Sequence, residues 1–122
     1  MTKKILTEQQ ARIAEEQATE PPFSGPWLDE KRDGVYLCVA CGHELFSSDS
    51  KYDSGSGWPS FWKPTNDQAL GSTTDTKLGM TRVEVHCDKC KAHMGHVFDD
   101  GPQPTGLRYC VNGSVLDFKP TD

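Results

Sequence analysis

The chain has 122 residues, a length that suits one domain with a modest hydrophobic core. Only 34% of the residues are hydrophobic, and the 11 glycines and 8 prolines are typical of turn-rich β structure rather than a helical bundle. A formal net charge of −5, without a cluster of lysine and arginine, argues against a nucleic-acid partner.

The sequence also argues against a membrane or secreted protein. No apolar run approaches the roughly 18 residues that a membrane helix needs, and Met1-Thr2-Lys3-Lys4 leads into polar sequence rather than a signal-peptide core. Five cysteines, four of them in Cys-x-x-Cys pairs, fit a reducing compartment better than a secreted disulfide framework. We therefore expect a cytoplasmic protein.

The first predicted element is a short helix from about Glu8 to Ala18. Thr7 and Gln10 have the spacing of a capping box, in which each side chain binds the backbone N–H of the other residue. Pro21-Pro22 prevents any continuation of the helix. We expect one domain over residues 1–122, with a helical segment at about 7–19 and a β domain at about 33–118.

Short strands between turns are predicted for the rest of the chain. Val35 to Val39 and His43 to Phe46 flank the first Cys-x-x-Cys pair, and Val83 to Cys87 and Lys91 to Phe98 flank the second. Each set predicts a hairpin whose turn is held by a metal ion. A loop from Ser47 to Pro64 follows the first hairpin and is unusually aromatic for a linker.

Cys38, Cys41, Cys87 and Cys90 predict a metal site. Two intervening residues let both sulfurs of a pair face one ion at the tip of a turn, and two such tips complete a tetrahedral set of four sulfurs. Such a set is the usual site of one structural Zn²⁺ ion. Iron, which four thiolates also bind, and four independent buried or redox cysteines are the alternatives.

Cys110 stands apart from the two pairs. Strand alternation from Leu107 to Asn112 places Arg108, Cys110 and Asn112 on one face. An inert cysteine in the core would more naturally share a face with the apolar residues. The pattern favours a reactive thiol, with a structural buried cysteine as the alternative.

Two histidines near the second cysteine pair are further candidates. His93 and His96 would point to opposite faces of a regular strand, whereas a bulge at Gly95 would turn both the same way. A solvent-facing histidine and a spare metal ligand are the alternatives for these two residues.

Three segments together resemble the signatures of the B-type peptide methionine sulfoxide reductases. They are Ser-Gly-Ser-Gly-Trp-Pro-Ser-Phe from Ser54 to Phe61, His-Met-Gly-His-Val-Phe from His93 to Phe98, and Arg-Tyr-Cys-Val-Asn from Arg108 to Asn112. The cysteine pairs match as well, and the resemblance covers roughly Thr7 to Phe118. It implies a mainly β, antiparallel two-sheet domain, with zinc remote from the active site. The implied activity is reduction of the R epimer of methionine sulfoxide in oxidised peptides or proteins, a repair of oxidative damage.

The resemblance also implies roles for individual residues. Cys110 would attack the sulfoxide sulfur and end as a sulfenic acid. His96, with His93 beside it, would supply protons to the departing oxygen, because imidazole titrates near neutral pH. Asn112 would position a water molecule or bind the sulfoxide oxygen, and Trp58 would pack against the S-methyl group.

Two further positions match supporting members of that site. Asp100 and Arg108 would fix the orientation of a histidine or the charge of the thiolate, and a surface ion pair is the alternative. Ser56 is a departure, because many members of the family carry a resolving cysteine there. With Ser56 the chain would depend on an external reductant such as thioredoxin, or glutathione with glutaredoxin. Separately, we expect the chain to act as a monomer. Whether Ser56 is natural or an engineered replacement is open.

Two other functions compete with this one. A non-catalytic zinc-bound binding module would explain the four paired cysteines but gives no reason for Cys110 beside Asn112 and two histidines. A general thiol-disulfide oxidoreductase would use Cys-x-x-Cys itself, but that motif normally opens a helix after a strand, whereas both pairs here lie between predicted strands.

Overall fold

The computed structural model describes residues 6–16, 18–76 and 81–121, and the fold over these residues is mainly β. One helix, α1 (Glu8–Glu16), precedes nine strands in the described residues. The strands are β1 (Gly34–Cys38), β2 (Glu44–Ser47), β3 (Lys51–Tyr52), β4 (Ser60–Phe61), β5 (Leu70–Asp75), β6 (Arg82–Cys87), β7 (His93–Phe98), β8 (Arg108–Val111) and β9 (Leu116–Pro120).

The capping box at the start of α1 is confirmed. The Thr7 N–H donates to Gln10 Oε1 at 2.9 Å, and the Gln10 N–H donates to Thr7 Oγ1 at 3.1 Å. The predicted end at Ala18 is wrong, because the Ala18 N–H donates to the carbonyl of Arg12, six residues back, and has left the α-helical pattern. No helix in the described part of the chain is long and apolar enough to span a membrane.

Two antiparallel sheets form the domain, as the sequence predicts. The smaller sheet has the order β2-β1-β9, and the larger has the order β3-β4-β8-β7-β6-β5. Both hairpins around the cysteine pairs are present, as β1–β2 and β6–β7. The last predicted strand of these hairpins begins at His93 rather than Lys91, because a hydrogen bond from the Lys91 N–H to the Cys87 carbonyl keeps Lys91 in the turn.

The core lies between the sheets and contains a group of packed aromatic rings. Phe61 of the larger sheet stacks on Phe46 of the smaller one with ring centroids 4.2 Å apart, and it meets the ring of Tyr36 edge-on at 5.1 Å. All three residues are fully buried. Burying each such side chain stabilises the fold by roughly 1.5–3 kcal/mol before conformational entropy is subtracted. Strand β4, which carries Phe61, is thereby held beside β8 and its cysteine.

Candidate active site

The four paired cysteines lie together and fit a metal ion. Their sulfur atoms all lie within 4.8 Å of one another. The Sγ atoms of Cys38 and Cys90 are 3.6 Å apart, as are those of Cys41 and Cys87. A tetrahedral zinc ion with bonds of about 2.3 Å would separate its sulfur ligands by about 3.8 Å. The distances therefore match a shared ion and exceed the roughly 2 Å of a disulfide bond.

The two cysteine turns repeat the same backbone geometry. Gly42 and Lys91 each follow the second cysteine of a pair, and both adopt a left-handed conformation with φ of 79° and 69°. Their N–H groups donate to the carbonyls of Cys38 and Cys87, each at 2.8 Å. Glycine takes this conformation at little cost, whereas Lys91 adopts it with some strain. Neither pair opens a helix, which disfavours a Cys-x-x-Cys oxidoreductase.

Cys110 lies in a separate cavity of about 260 Å³. None of the four clustered cysteines lines this cavity. Its walls bring together residues that are far apart in the sequence and that belong to each of the three candidate segments. Among them are Ser56, Trp58, His96, Arg108, Cys110 and Asn112.

Strand pairing places Cys110 between two polar neighbours. His96 lies directly opposite Cys110 across β7 and β8, and Ser60 lies opposite it across β4 and β8. Residues directly opposite in an antiparallel pair share a face, with Cβ atoms about 4.5–5.5 Å apart. Glu84 continues this row, because it pairs with His96 across β6 and β7. An acid, an imidazole and a thiol therefore stand in line on one face of the sheet.

An irregularity in β7 brings His93 close to His96. Val85 pairs with Gly95 and His86 with His93, so Met94 is an extra residue on β7. This agrees with the predicted bulge near Gly95, and the two imidazole centroids are 5.6 Å apart.

Gly95 has a steric reason to lack a side chain. A Cβ atom there would lie 1.9 Å from the carbonyl oxygen of Cys110. The absence of a side chain allows β7 to approach β8 at the point where His96 faces the thiol.

His93 is buried and held by a carboxylate. Its Nδ1 atom lies 2.6 Å from Oε2 of Glu84, which is also buried. A buried carboxylate needs a hydrogen-bond partner to offset the loss of water, and the His93 imidazole provides one at this short distance. Glu84 therefore orients one histidine while it lies beside the other across the sheet.

The surroundings of Cys110 act on its thiol in opposite directions. Desolvation by burial is the largest effect, and it raises the pKa of Cys110 above that of a free thiol. The Ser56 hydroxyl and the Arg108 guanidinium favour the thiolate and lower this pKa, whereas the negative charge of the Glu20 carboxylate raises it further. The pKa is raised overall, so the resting residue is chiefly a neutral thiol at pH 7.

Asp100 and Arg108 form an ion pair at the rim of the cavity. Arg108 Nε and NH2 donate to the two carboxylate oxygens of Asp100 at 2.9 and 3.2 Å. The guanidinium also lies over the Phe98 ring, 4.5 Å from its centroid. Arg108 lines the cavity and Asp100 does not, so Asp100 reaches the site only through Arg108.

Trp58 and Asn112 are both tied to the backbone of one residue. The Trp58 indole N–H donates to the carbonyl of Glu20 at 3.0 Å, and Asn112 Oδ1 accepts from the Glu20 N–H at 3.0 Å. The Asn112 side-chain amide also donates to the Met94 carbonyl at 3.0 Å. Asn112 was predicted to bind a water molecule or the sulfoxide oxygen, but both polar atoms of its side chain already form hydrogen bonds within the protein.

Three serine hydroxyls form a chain beside the thiol. Ser54 Oγ lies 2.8 Å from Ser56 Oγ and 2.7 Å from Ser60 Oγ. Ser56 lines the cavity, and Ser60 is the cross-strand neighbour of Cys110. The position of the expected resolving residue is thus part of a hydroxyl network.

Sequence reasoning missed Glu20 and Glu84. Glu84 had a weak signal, because it is an acid between Val83 and Val85 in a predicted strand, where an unpaired charge would be costly. Glu20 had no local signal, since the amides that it binds belong to Gly113 and Ser114 near the other end of the chain.

Fold and site together define a small two-sheet β domain with a four-cysteine cluster and a separate thiol pocket. Residues 6–120 match the SelR domain family. The peptide methionine sulfoxide reductase MsrB of Synechococcus sp. (strain RCC307) is 54% identical over 114 residues, which are 93% of this chain and 84% of that protein. The protein of the same name from Hahella chejuensis (strain KCTC 2396) is 53% identical over 117 residues, 96% of this chain and 84% of its own length. The chain therefore belongs to the SelR-domain family of B-type peptide methionine sulfoxide reductases.

Proposed function

We propose that this chain reduces the R epimer of methionine sulfoxide, in peptides or proteins, to methionine. The observation that carries the proposal is the direct pairing of His96 with Cys110 on one face of a cavity that Trp58 also lines. A nucleophile, a proton donor and an apolar surface are the three groups that the reaction requires. The names of the two relatives support the same chemistry.

The reaction begins when Cys110 Sγ bonds to the sulfoxide sulfur and gives up its proton. The sulfoxide oxygen takes one proton from the imidazole side, which replaces the proton that the thiol gave up. The sulfur–oxygen bond of the substrate then breaks as this hydroxyl passes to Cys110 Sγ, and the bond between the two sulfur atoms breaks with its electron pair left on the substrate. The oxygen ends on Cys110 as a sulfenic acid, and the substrate leaves as methionine, reduced by two electrons. One sulfoxide and one thiol thus yield one thioether and one sulfenic acid.

His96 is the proposed proton donor, because it lies across the strand pair from the thiol and lines the cavity. His93 supports it from the buried side, where Glu84 holds Nδ1. A positioned general acid typically contributes a factor of about 10² to 10⁴ in rate.

The remaining wall residues bind and orient the substrate. Trp58 offers its ring to the S-methyl group, and Arg108, held by Asp100, favours the thiolate as it forms. Asn112 lines the cavity with its amide engaged by Glu20 and Met94. Its binding of a water molecule or of the sulfoxide oxygen stays a prediction.

Regeneration of Cys110 requires two electrons from outside the pocket. Ser56 carries a hydroxyl where a resolving thiol would stand, and a hydroxyl cannot form a disulfide with the sulfenic acid. Two external thiols, from thioredoxin or a similar reductant, would restore the Cys110 thiol and release water and one disulfide. The free cysteines support a reducing compartment such as the cytoplasm, and we propose that the chain acts as a monomer.

We also propose that the four-cysteine cluster holds one structural zinc ion. The sulfur distances and the all-thiolate donor set support zinc, whose tetrahedral Cys₄ sites are closed to substrate. The clustered residues do not line the cavity, so the ion takes no part in the reaction.

The deciding experiment offers both epimers of methionine sulfoxide, free and in a peptide, with thioredoxin or dithiothreitol as reductant. Turnover of the R epimer and loss of that turnover in Cys110→Ala are the expected results. Activity on the S epimer alone, or activity that survives in Cys110→Ala, would contradict the proposal.

A further inference from the structure

Glu20 is a buried acid that none of the steps above uses. Its relative exposure is 2%. The carboxylate accepts a hydrogen bond from the Gly113 N–H at 3.0 Å and another from the Ser114 N–H at 2.9 Å. A buried carboxylate is costly unless such donors compensate for lost water. These two bonds fasten the segment around Glu20, which follows α1, to the turn that follows β8.

The backbone of Glu20 then meets two residues of the cavity. Its N–H donates to Asn112 Oδ1, and its carbonyl accepts from the Trp58 indole N–H, each at 3.0 Å. The residue next to it, Thr19, itself lines the cavity. Glu20 therefore connects the aromatic wall to the end of the strand that carries Cys110.

Gly25 confines the carboxylate from the other side. A Cβ atom at Gly25 would lie 2.0 Å from Oε2 of Glu20. Any side chain there would push the carboxylate away from the Gly113 and Ser114 amides. The absence of a side chain at Gly25 therefore leaves room for the carboxylate where it binds the two amides.

We propose that Glu20 is a positioning residue that fixes the Trp58 ring in the wall of the cavity that holds Cys110. The carboxylate anchors the segment, and the anchored backbone then holds the indole at its N–H. In this orientation the face of the Trp58 ring packs against the S-methyl group of the substrate. That packing places the sulfoxide sulfur over Cys110. This role rests on the proposed function, although the anchoring itself is independent of the reaction.

The test compares Glu20→Gln with the unchanged protein. Glutamine has nearly the same shape, but its NH₂ group would face one of the two backbone N–H donors. We expect the indole N–H hydrogen of Trp58 to exchange with solvent about tenfold faster, and kcat/KM for the R sulfoxide to fall about tenfold, mainly through KM. Indole signals in ¹⁵N NMR spectra report the exchange, and Trp58→Phe identifies the Trp58 signal.

Trp27 supplies an internal control, because its indole N–H donates to the carbonyl of Leu116 and not to Glu20. Its exchange should be unchanged in Glu20→Gln. The matched variant Glu16→Gln removes an acid from the exposed side of α1 and should alter neither signal.

Gly25→Ala is the second variant, and it disturbs the carboxylate while Glu20 stays in place. It should reproduce the faster exchange of the Trp58 indole N–H. If Glu20→Gln does not fold, this variant alone tests the positioning role of Glu20. Unchanged Trp58 exchange, or equal acceleration at Trp58 and Trp27, would overturn the positioning role. Absence of sulfoxide turnover in the unchanged protein would instead overturn the proposed function, and the exchange measurement would still decide the role of Glu20.

Discussion

His96 lies directly opposite Cys110 in the antiparallel pairing of β7 and β8. The pairing fixes the imidazole beside the thiol through backbone hydrogen bonds, so the placement of these two candidate site residues does not depend on a flexible loop. Because β8 is flanked by β4 on its other side, the thiol sits within the larger sheet and not at its edge.

Replacing His96 with glutamine should lower kcat by about 10² or more, because the proton donor for the sulfoxide oxygen is lost. Steady-state kinetics with the R sulfoxide measures this effect. The matched control is His43→Gln, since the His43 imidazole contacts the Gln68 carbonyl outside the cavity and should tolerate the change. Equal losses in both variants would remove the special role of His96.

The rate at which Cys110 is alkylated should keep rising with pH beyond the pH range in which an ordinary thiol titrates. Burial raises its pKa, so the thiolate fraction is small at pH 7 and increases as the pH approaches the raised pKa. Iodoacetamide labelling followed on the Cys110 peptide by mass spectrometry gives the profile. Arg108→Met should move the profile to still higher pH, because the guanidinium lowers this pKa. A profile centred below pH 8 would contradict the prediction.

Glu84→Gln should lower kcat by about tenfold while it leaves the labelling of Cys110 nearly unchanged. The Glu84 carboxylate contacts His93 and not Cys110, so its loss should change the position of the histidine and have little effect on the labelling rate of the Cys110 thiol. The loss of a charged hydrogen bond should also reduce the free energy of unfolding by roughly 1–3 kcal/mol, measurable in urea. Unaltered turnover in a variant with reduced stability would assign Glu84 a purely structural role.

Removal of the zinc ion that we propose for the four-cysteine cluster should unfold the domain. Apparent zinc binding free energies of about 10–16 kcal/mol in small sites are as large as the roughly 5–15 kcal/mol that keeps a typical domain folded. Circular dichroism during chelation, together with metal analysis, tests this prediction. Cys87→Ser should lose metal and fold together, whereas Cys110→Ala should retain both and lose only turnover.

One turnover should leave Cys110 as a sulfenic acid that dimedone traps. Ser56→Cys should convert this product into an intramolecular disulfide, because position 56 lines the same cavity as Cys110. Mass spectrometry of the product distinguishes the two outcomes. A disulfide between Cys110 and a cluster cysteine in the unchanged protein would show that the chain resolves its own intermediate.

Features with local sequence signals were predicted well. The capping box of Thr7, the two hairpins and the turn of each Cys-x-x-Cys pair depend on residues a few positions apart, whose spacing fixes the geometry. That the two pairs meet was predicted from the four thiolates that a tetrahedral metal site needs, because 46 and 52 positions separate the contacting cysteines. A bulge at Gly95 was considered as one way to turn His93 and His96 to the same side, and the structure has the extra residue at Met94. The end of α1 was missed, because the Ala18 N–H donates to the carbonyl of Arg12 and not to that of the residue four positions before it.

The anchoring of the site had no such local signal. Glu20 binds Asn112, Gly113 and Ser114 across more than ninety positions of the sequence. Such contacts arise only when the segment after α1 folds over the turn after β8. The same separation conceals the hydrogen bond from the Glu20 N–H to Asn112 Oδ1, an atom that the strand pattern alone presents as available to substrate.

The position of the four-cysteine cluster has a mechanical consequence. Cys38 ends β1 of the smaller sheet, and Cys87 ends β6 of the larger sheet, so one ion bound by all four thiols would cross-link the two layers. The smaller sheet contributes no residue to the cavity, yet its Phe46 supports β4 through Phe61. An ion that joins the two sheets at one end would therefore hold the packing of Phe46 against Phe61 in place. Strand β8, which carries Cys110, would then lie on a rigid layer, although the ion itself is bound outside the cavity.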